Sequence, residues 1–192
     1  MRQILILLSL LILGCSTQQS ENNIDQKEIS DIKKAFESWT KSEISKGNFF
    51  AMDSCNGDYY MRKDSLGLES VFGYAVPDDS SEINYYYANL NGDTKKDALI
   101  TFTPYQCDGG NASMWVQYQV LVLSQGDSYL VDDSYFERFD TAPGLFQLDS
   151  VAPKAVFGTY FEFAEKDGRC CPSITKPIKI DLEKNEFTYS NR

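Results

Sequence analysis

Oxygen-bearing side chains recur at alternating positions in one short stretch near the middle of the chain. They stand at the first, third, fifth and ninth positions of that stretch: Asn89, Asn91, Asp93 and Asp97. In a calcium loop these positions supply oxygen ligands, and the main-chain carbonyl of the seventh position, here Lys95, completes the set. Gly92 allows the backbone to bend between the ligands. The spacing therefore predicts a calcium site over residues 89–97.

The same stretch resembles the D-x-N-G-D-x-x-x-D loops of calcium-binding repeat proteins, with two departures. The first position is Asn89 rather than Asp, and the twelfth position, where an EF-hand has a bidentate Glu, is Ile100. The cations Lys95 and Lys96 also lie beside the two carboxylates. We therefore expect weak affinity, with a dissociation constant of about 10⁻⁴ to 10⁻³ M.

A tight turn is the alternative interpretation of this stretch. Asn91-Gly92 between two alternating strands is also typical of a type I′ hairpin turn, which needs no metal. On that interpretation the spacing from Asp93 to Asp97 has no explanation. The sequence leaves both interpretations open.

The first residues have the composition of an export signal. Arg2 precedes an apolar run over residues 4–13, and a run of about ten residues is too short to span about 30 Å of hydrocarbon. The segment ILGC at residues 12–15 resembles the lipobox of bacterial lipoproteins. That resemblance implies cleavage before Cys15, which would carry a diacylglyceryl thioether and an N-linked acyl chain such as palmitate. An ordinary secretory leader that contains a cysteine is the alternative.

The residues after Cys15 predict a tether between lipid and domain. Residues 16–23 are small and polar without periodicity, which is typical of a flexible linker. In lipoproteins of two-membrane bacteria, Asp directly after the cysteine often signals retention in the inner membrane. Ser16 stands there, so the resemblance favours the outer membrane over the cell membrane. We predict a signal peptide over 1–14, a lipidated tether over 15–23 and a single domain over 24–192.

Charge and residue types exclude several classes of function. The chain has 28 acidic and 18 basic residues, a net charge of −10, so nucleic-acid binding is excluded. It has no histidine, which excludes His-based triads, Cys-His dyads and histidine general bases. Removal of 14 of the 192 residues leaves 178, the size of one ordinary domain.

Four cysteines follow the leader: Cys55, Cys107, Cys170 and Cys171. An even set in an exported protein predicts disulfides, and four cysteines allow three connectivities. Because a bond between the adjacent Cys170 and Cys171 closes a strained eight-membered ring, we predict that these two bond separately to Cys55 and Cys107. A zinc site is the alternative, without a histidine or a CxxC pair to support it. The segments QCDGG and RCCPS resemble parts of exported bacterial proteins, and this likeness implies no activity.

Periodicity predicts the elements that position these residues. Residues 25–46 carry an apolar stripe at spacings of three and four, which predicts a helix with one buried face. The stripe consists of Ile29, Ile32, Phe36 and Trp39. Asp25 and Glu28 have capping-box spacing at its start, and Gly47 is a natural end.

Beyond Gly47 the sequence alternates as strands do. The predicted strands cover residues 83–87, 98–103, 114–123, 129–132, 144–150, 156–163, 176–182 and 186–190. One helix followed by six or more strands predicts an α+β fold in which the helix packs on one antiparallel sheet. The element order resembles that of cystatin-like and NTF2-like folds, which transfers no function.

Carboxylates and one long loop are the remaining candidates for chemistry. Asp132 and Asp133 are adjacent, so on a strand they point to opposite faces and cannot act as a pair. The loop over residues 103–115 could hold binding residues, or it could be a connection fixed by a disulfide at Cys107 with Trp115 in the core. We expect a membrane-anchored, non-catalytic envelope lipoprotein with a binding or structural role and weak calcium binding. The alternative is a small carboxylate-based enzyme or an enzyme inhibitor of the cell envelope.

Overall fold

The computed structural model describes residues 25–55, 73–107, 117–139, 145–168 and 171–190. The helix α1 spans Gln26–Lys46. The strands in this part of the chain are β1 Tyr74–Ala75, β2 Ile83–Ala88, β3 Asp97–Phe102, β4 Tyr105–Gln106, β5 Tyr118–Gln125, β6 Ser128–Asp132, β7 Leu145–Ala152, β8 Ala155–Glu162, β9 Ile174–Asp181 and β10 Glu186–Tyr189. The leader, Cys15, the tether, Cys170 and residues 108–116 with Trp115 lie outside the described residues.

Helix α1 begins and ends at the residues that its sequence predicts. The Asp25 carboxylate accepts a hydrogen bond from the main-chain N–H of Lys27 at 2.9 Å, which caps the first turn. Gly47 has a left-handed φ of 79° and ends the helix. The buried face carries the predicted aromatic residues, Phe36 and Trp39. The helix prediction is therefore confirmed, and no helix in the described ranges is long and apolar enough to cross a membrane.

Two four-stranded antiparallel sheets contain eight of the ten strands in the described part of the chain. Sheet I has the strand order β2-β3-β5-β6, and sheet II has the order β10-β9-β8-β7. Adjacent residues of β3 belong to two different cores, because Ala98, Ile100 and Phe102 pack with α1 whereas Leu99 packs with sheet II. All residues of β3 are buried. Sheet I is thus the middle layer between α1 and sheet II.

The prediction of one sheet of six or more strands is wrong in its arrangement. The α+β class and the antiparallel strands are confirmed, and each predicted strand overlaps an observed one. The last four strands, however, form sheet II, which packs on the face of sheet I opposite α1. The physical reason is that β3 and β5 carry apolar side chains on both faces, and both faces need a cover.

A third sheet of two short strands, β1 and β4, lies at the ends of the long connections. Ala75 of β1 bridges in parallel to Phe50, which follows α1. Cys55 and Cys107 pack against Ala75 in a small separate core. Sequence periodicity gave no indication of these strands, because two residues are too few to show alternation.

Strands β7 and β8 approach so closely at Gly158 that no side chain fits there. A β-carbon at Gly158 would overlap the carbonyl oxygen of Gln147 and lie 2.9 Å from the Cα of Leu148. We expect Gly158→Ala to lower the free energy of unfolding by about 1–3 kcal/mol, because the backbone of β7 must move. Urea denaturation measures the loss. The matched control is Gly168→Ala, where an added β-carbon meets no described atom within 4 Å, and equal losses in both variants would contradict the prediction.

Candidate functional site

The stretch predicted to bind calcium joins β2 to β3. Ala88, the last residue of β2, pairs with Asp97, the first residue of β3, and we call residues 89–97 the 89–97 loop. A type I′ turn at Asn91-Gly92 would need a left-handed φ at both residues. Gly92 has a φ of 85°, and Asn91 is not among the residues with positive φ. The interpretation as a two-residue type I′ turn is therefore wrong, because Asn91 lacks the left-handed φ that this turn needs. The connection between β2 and β3 is also longer than such a turn.

The carboxylate of Asp97 lies at the centre of the 89–97 loop and is 0% exposed. Its Oδ2 accepts hydrogen bonds from the main-chain N–H groups of Leu90 at 2.6 Å and Asn91 at 3.0 Å. Its Oδ1 accepts from the N–H of Ser124 at 2.6 Å and lies 2.8 Å from the Ser124 hydroxyl oxygen. A charge can be buried only when it is hydrogen-bonded in this way. Because Ser124 lies on β5, the carboxylate also ties the loop to the neighbouring strand of sheet I.

The side chains at the first, third and fifth positions turn back onto their own backbone. Asn89 Oδ1 accepts from the N–H of Gly92 at 2.7 Å, and Asn91 Oδ1 accepts from the N–H of Asp93 at 2.9 Å. Asp93 Oδ1 accepts from the N–H of Lys95 at 2.7 Å. Asn and Asp commonly stabilise turns by bonding to the backbone two residues later. The alternating spacing therefore has a structural cause that involves no metal.

Asp93 also reaches sheet I through Ser124. The Ser124 hydroxyl lies 2.6 Å from Asp93 Oδ2, and Asn91 Nδ2 donates to the Ser124 carbonyl at 2.8 Å. Burial acts to raise the pKa of Asp93. The hydrogen bonds from Ser124, from the N–H of Lys95 and from Asn91, together with the positive charge of Lys95, outweigh burial and lower this pKa below its ordinary value. The Asp93 carboxylate is thus held in its ionised form.

The loop contacts sheet II through the turn between β7 and β8. The N–H of Lys154, which has a left-handed φ of 59°, donates to the Asn89 carbonyl at 3.0 Å. The Lys154 side chain passes over Gly92, where an added β-carbon would lie 2.6 Å from Lys154 Cε, and its ammonium pairs with Glu183 at 2.7 Å. Lys154 therefore links the 89–97 loop, the turn between β7 and β8, and Glu183 in the turn between β9 and β10.

Two further side chains lie beside the loop. The ammonium of Lys95, whose carbonyl was predicted as a ligand, donates to the carbonyl of Gly126. The hydroxyl of Tyr129 is buried without a hydrogen-bond partner among the described residues. Burial raises the pKa of Tyr129 to about 12, and the negative charges of Glu28 and Asp97 act in the same direction. Tyr129 is therefore a neutral group next to the acidic loop.

The adjacent acids Asp132 and Asp133 have separate partners. Asp133 Oδ2 accepts a hydrogen bond from Trp39 Nε1 at 3.1 Å. Asp132 Oδ1 accepts from the N–H and the hydroxyl of Ser134. Asp133 therefore binds α1, and Asp132 binds the turn that follows β6. Asp133 lies just after the strand β6, which ends at Asp132.

Hydrogen bonds hold several carboxylates ionised across the described part of the molecule. Five carboxylates of the described residues have a pKa below the ordinary value: Glu43, Asp79, Asp93, Asp167 and Asp181. For Glu43 the hydrogen bond from Lys46 is the largest cause, and for Asp79, Asp167 and Asp181 it is one from a main-chain N–H. A carboxylic acid that donates a proton near neutral pH needs a raised pKa instead. These carboxylates are therefore suited to structural hydrogen bonding.

The cysteine pairing differs from the prediction. Cys55 is bonded to Cys107, so the prediction that each of them bonds to Cys170 or Cys171 is wrong. The reason is local, because β1 and β4 pair and bring the ends of two connections together. Cys171 is also in a disulfide. The interpretation of the 103–115 loop as a connection fixed at Cys107 is supported, and Tyr105 in the same loop is exposed and bonds to Glu82.

Sequence analysis missed Ser124 and Lys154, the residues that join the loop to its surroundings. Ser124 follows Val120 and Val122 on the face of β5 that points to α1, so a polar residue at this buried position was the available indication. Lys154 gave none, because a lysine in a hairpin turn is common. The exposed large apolar residues of the described chain lie on four different strands: Tyr105, Leu130, Leu145 and Tyr189.

Comparison with known proteins finds no family model, no curated protein and no solved structure that matches this chain. The likenesses to a lipobox and to a calcium-loop repeat are limited to residues 12–15 and 89–97.

The disulfide should contribute strongly to stability. Cys55 and Cys107 are separated by 52 residues in the sequence, and closing a loop of this length is worth about 4 kcal/mol in the chain-entropy model. We expect the Cys55→Ala/Cys107→Ala variant to lose up to roughly that free energy of unfolding, measured by urea denaturation. Peptide mass mapping of the wild type should recover the 55–107 pair. A free thiol at Cys107 in the oxidised protein would contradict the pairing.

Acid should remove the contribution of Asp93. Because its folded pKa lies below the ordinary value of 3.8, its ionised form stabilises the fold above that value, and this stabilisation is lost as the pH falls through the lower folded pKa. We expect the wild type to have a higher free energy of unfolding than Asp93→Asn at neutral pH. This difference should become smaller when the pH is lowered to about 3. Urea denaturation at both pH values measures it. The same difference at both would show that ionisation of Asp93 is irrelevant.

Proposed function

We propose that this protein is an exported lipoprotein, anchored by acyl chains on Cys15, whose domain has a non-catalytic binding or structural role in the cell envelope. The observation that carries the proposal is the leader, in which a short apolar run ends at Gly14-Cys15 and a polar stretch follows. Several acyl chains on one cysteine anchor a protein stably, whereas a single chain does not.

The organisation of the chain supports an anchor at its beginning. The described domain starts with the cap of α1 at Asp25, which leaves residues 16–24 between the lipid and the fold. An extended chain covers about 3.3–3.6 Å per residue, so this segment reaches roughly 30 Å. The domain can therefore stand clear of the lipid headgroups.

The cysteine chemistry supports export. The described residues contain a buried disulfide between Cys55 and Cys107, and Cys171 is disulfide-bonded as well. Disulfides persist in oxidising compartments and are rare where thiols are kept reduced. A cell-envelope location agrees with this chemistry.

The use of the acids supports a non-catalytic role. The buried carboxylate of Asp97 accepts hydrogen bonds from three main-chain N–H groups, and the nearly buried carboxylate of Glu43 accepts from Lys46 and Asn48. An enzyme that works with paired carboxylates needs one acid with a raised pKa. The pKa values of Glu43 and Asp93 are lowered by their hydrogen bonds instead, which supports a binding or structural role for these acids.

Lipidation and membrane choice can be tested together in a two-membrane bacterial host. We expect the wild type to incorporate labelled palmitate and to fractionate with the outer membrane, because Ser16 follows the cysteine. Cys15→Ser should carry no label, since it lacks the thiol to be acylated. Ser16→Asp keeps that thiol and should move to the inner membrane. An unlabelled wild type would contradict the anchor, whereas a labelled wild type in the inner membrane would contradict only the choice of membrane.

A further inference from the structure

The predicted ninth-position ligand, Asp97, is already bound by main-chain N–H groups on both of its carboxylate oxygens. A carboxylate has two oxygens with about four lone-pair positions. Three main-chain N–H groups already donate to Asp97: those of Leu90 and Asn91 to Oδ2 and that of Ser124 to Oδ1, at 2.6 to 3.0 Å. The Ser124 hydroxyl oxygen lies 2.8 Å from Oδ1, and its one proton is shared between Asp97 and Asp93. The arrangement of Asp97 therefore does not fit a calcium ligand.

Without Asp97, the remaining predicted ligands form a poor site for calcium. Calcium takes six to eight oxygen ligands, and carboxylates provide most of the binding energy. Only Asp93 would remain as a carboxylate. Its Oδ1 already accepts from the N–H of Lys95, and its Oδ2 lies 2.6 Å from the Ser124 hydroxyl, whose one proton it shares with Asp97. Asn89 and Asn91 would add neutral amide oxygens that already bind N–H groups.

Ser124 occupies the position between the two acids. Its hydroxyl oxygen lies 2.6 Å from Asp93 Oδ2 and 2.8 Å from Asp97 Oδ1, and Asn91 Nδ2 lies 3.0 Å from the same oxygen. The serine thus joins the two carboxylates that a shared calcium ion would have to join. Its position on β5 makes this junction part of sheet I.

We infer that the 89–97 loop is a metal-independent junction, in which the hydroxyl and N–H of Ser124 and the N–H groups of Leu90 and Asn91 replace the cation of a calcium loop. The side-chain oxygens of the loop have the spacing of a metal site, but they accept hydrogen bonds from main-chain N–H groups of the same loop. The 89–97 loop accordingly needs no calcium to keep its fold. This inference is independent of the lipid anchor, because it concerns contacts within the domain alone.

Thermal unfolding of the mature protein in detergent tests the inference directly. We expect the same Tm in excess chelator and in about 10 mM calcium. A dissociation constant of about 10⁻⁴ to 10⁻³ M would instead raise Tm by roughly 3–10 °C at that concentration. Terbium(III), a calcium substitute excited by nearby tyrosines such as Tyr129, should give no saturable luminescence that depends on Asp93.

Variants of the junction give a second, matched comparison. Asp97→Asn places an amide N–H₂ against buried donors and should lower Tm by at least about 5 °C, equally with calcium and with chelator. Ser124→Ala should lower it by about 3–6 °C, again equally. Asp127→Asn is the matched control for the loss of one negative charge beside the loop, because Asp127 is fully exposed, and it should leave Tm unchanged.

Two results would overturn the inference. One is a calcium-dependent rise in the Tm of the wild type that disappears in Asp93→Asn. The other is an Asp97→Asn or Ser124→Ala protein as stable as the wild type. If Asp97→Asn does not fold at all, the wild-type comparison of calcium with chelator and the Ser124→Ala variant still decide the question.

Discussion

The buried carboxylate of Asp97 is the constraint on which the centre of this fold depends. An ionised group without water must have its lone pairs satisfied by the protein, and Asp97 obtains its donors from two places. Leu90 and Asn91 belong to its own loop, while Ser124 belongs to β5. Satisfying one charge therefore fixes the path of the loop and its position against sheet I at the same time.

The loop then determines how the layers meet. Through Asn89 it receives the N–H of Lys154 at the turn of sheet II, and the carbonyl of Lys154 accepts from Leu182. Both sheets are thus hydrogen-bonded to one irregular segment at this end of the sandwich. A segment that supports two sheets tolerates little movement, which suits a structural use of its acids better than a use in reversible chemistry.

The periodicity of the sequence was sufficient to predict the helix and the later strands. It was not sufficient to predict how those strands are divided between two sheets. The stripe of α1 and the alternation of the later strands follow from local geometry, so they could be predicted. The second sheet could have been predicted from β3, because a strand with apolar side chains on both faces must be covered on both faces. In the structure all six positions of β3 are buried. Two features could not be read from the chain. The pairing of Cys55 with Cys107 depends on two-residue strands, and the spacing of Asn89 to Asp97 suits a cation and a backbone turn equally well, since both bind the same lone pairs.

The bond between Cys55 and Cys107 has a mechanical consequence for a protein pulled at its ends. Between these cysteines lie β1, β2, β3 and β4, which include the edge strand β2 and the central strand β3 of sheet I. Tension that arrives along the chain at Cys55 passes through the sulfur bridge to Cys107 and bypasses everything between them. Helix α1 lies outside this covalent shortcut and packs on sheet I through side chains such as Trp39, which donates to Asp133. Tension at the chain ends therefore loads α1 directly, whereas β2 and β3 are shielded by the bridge.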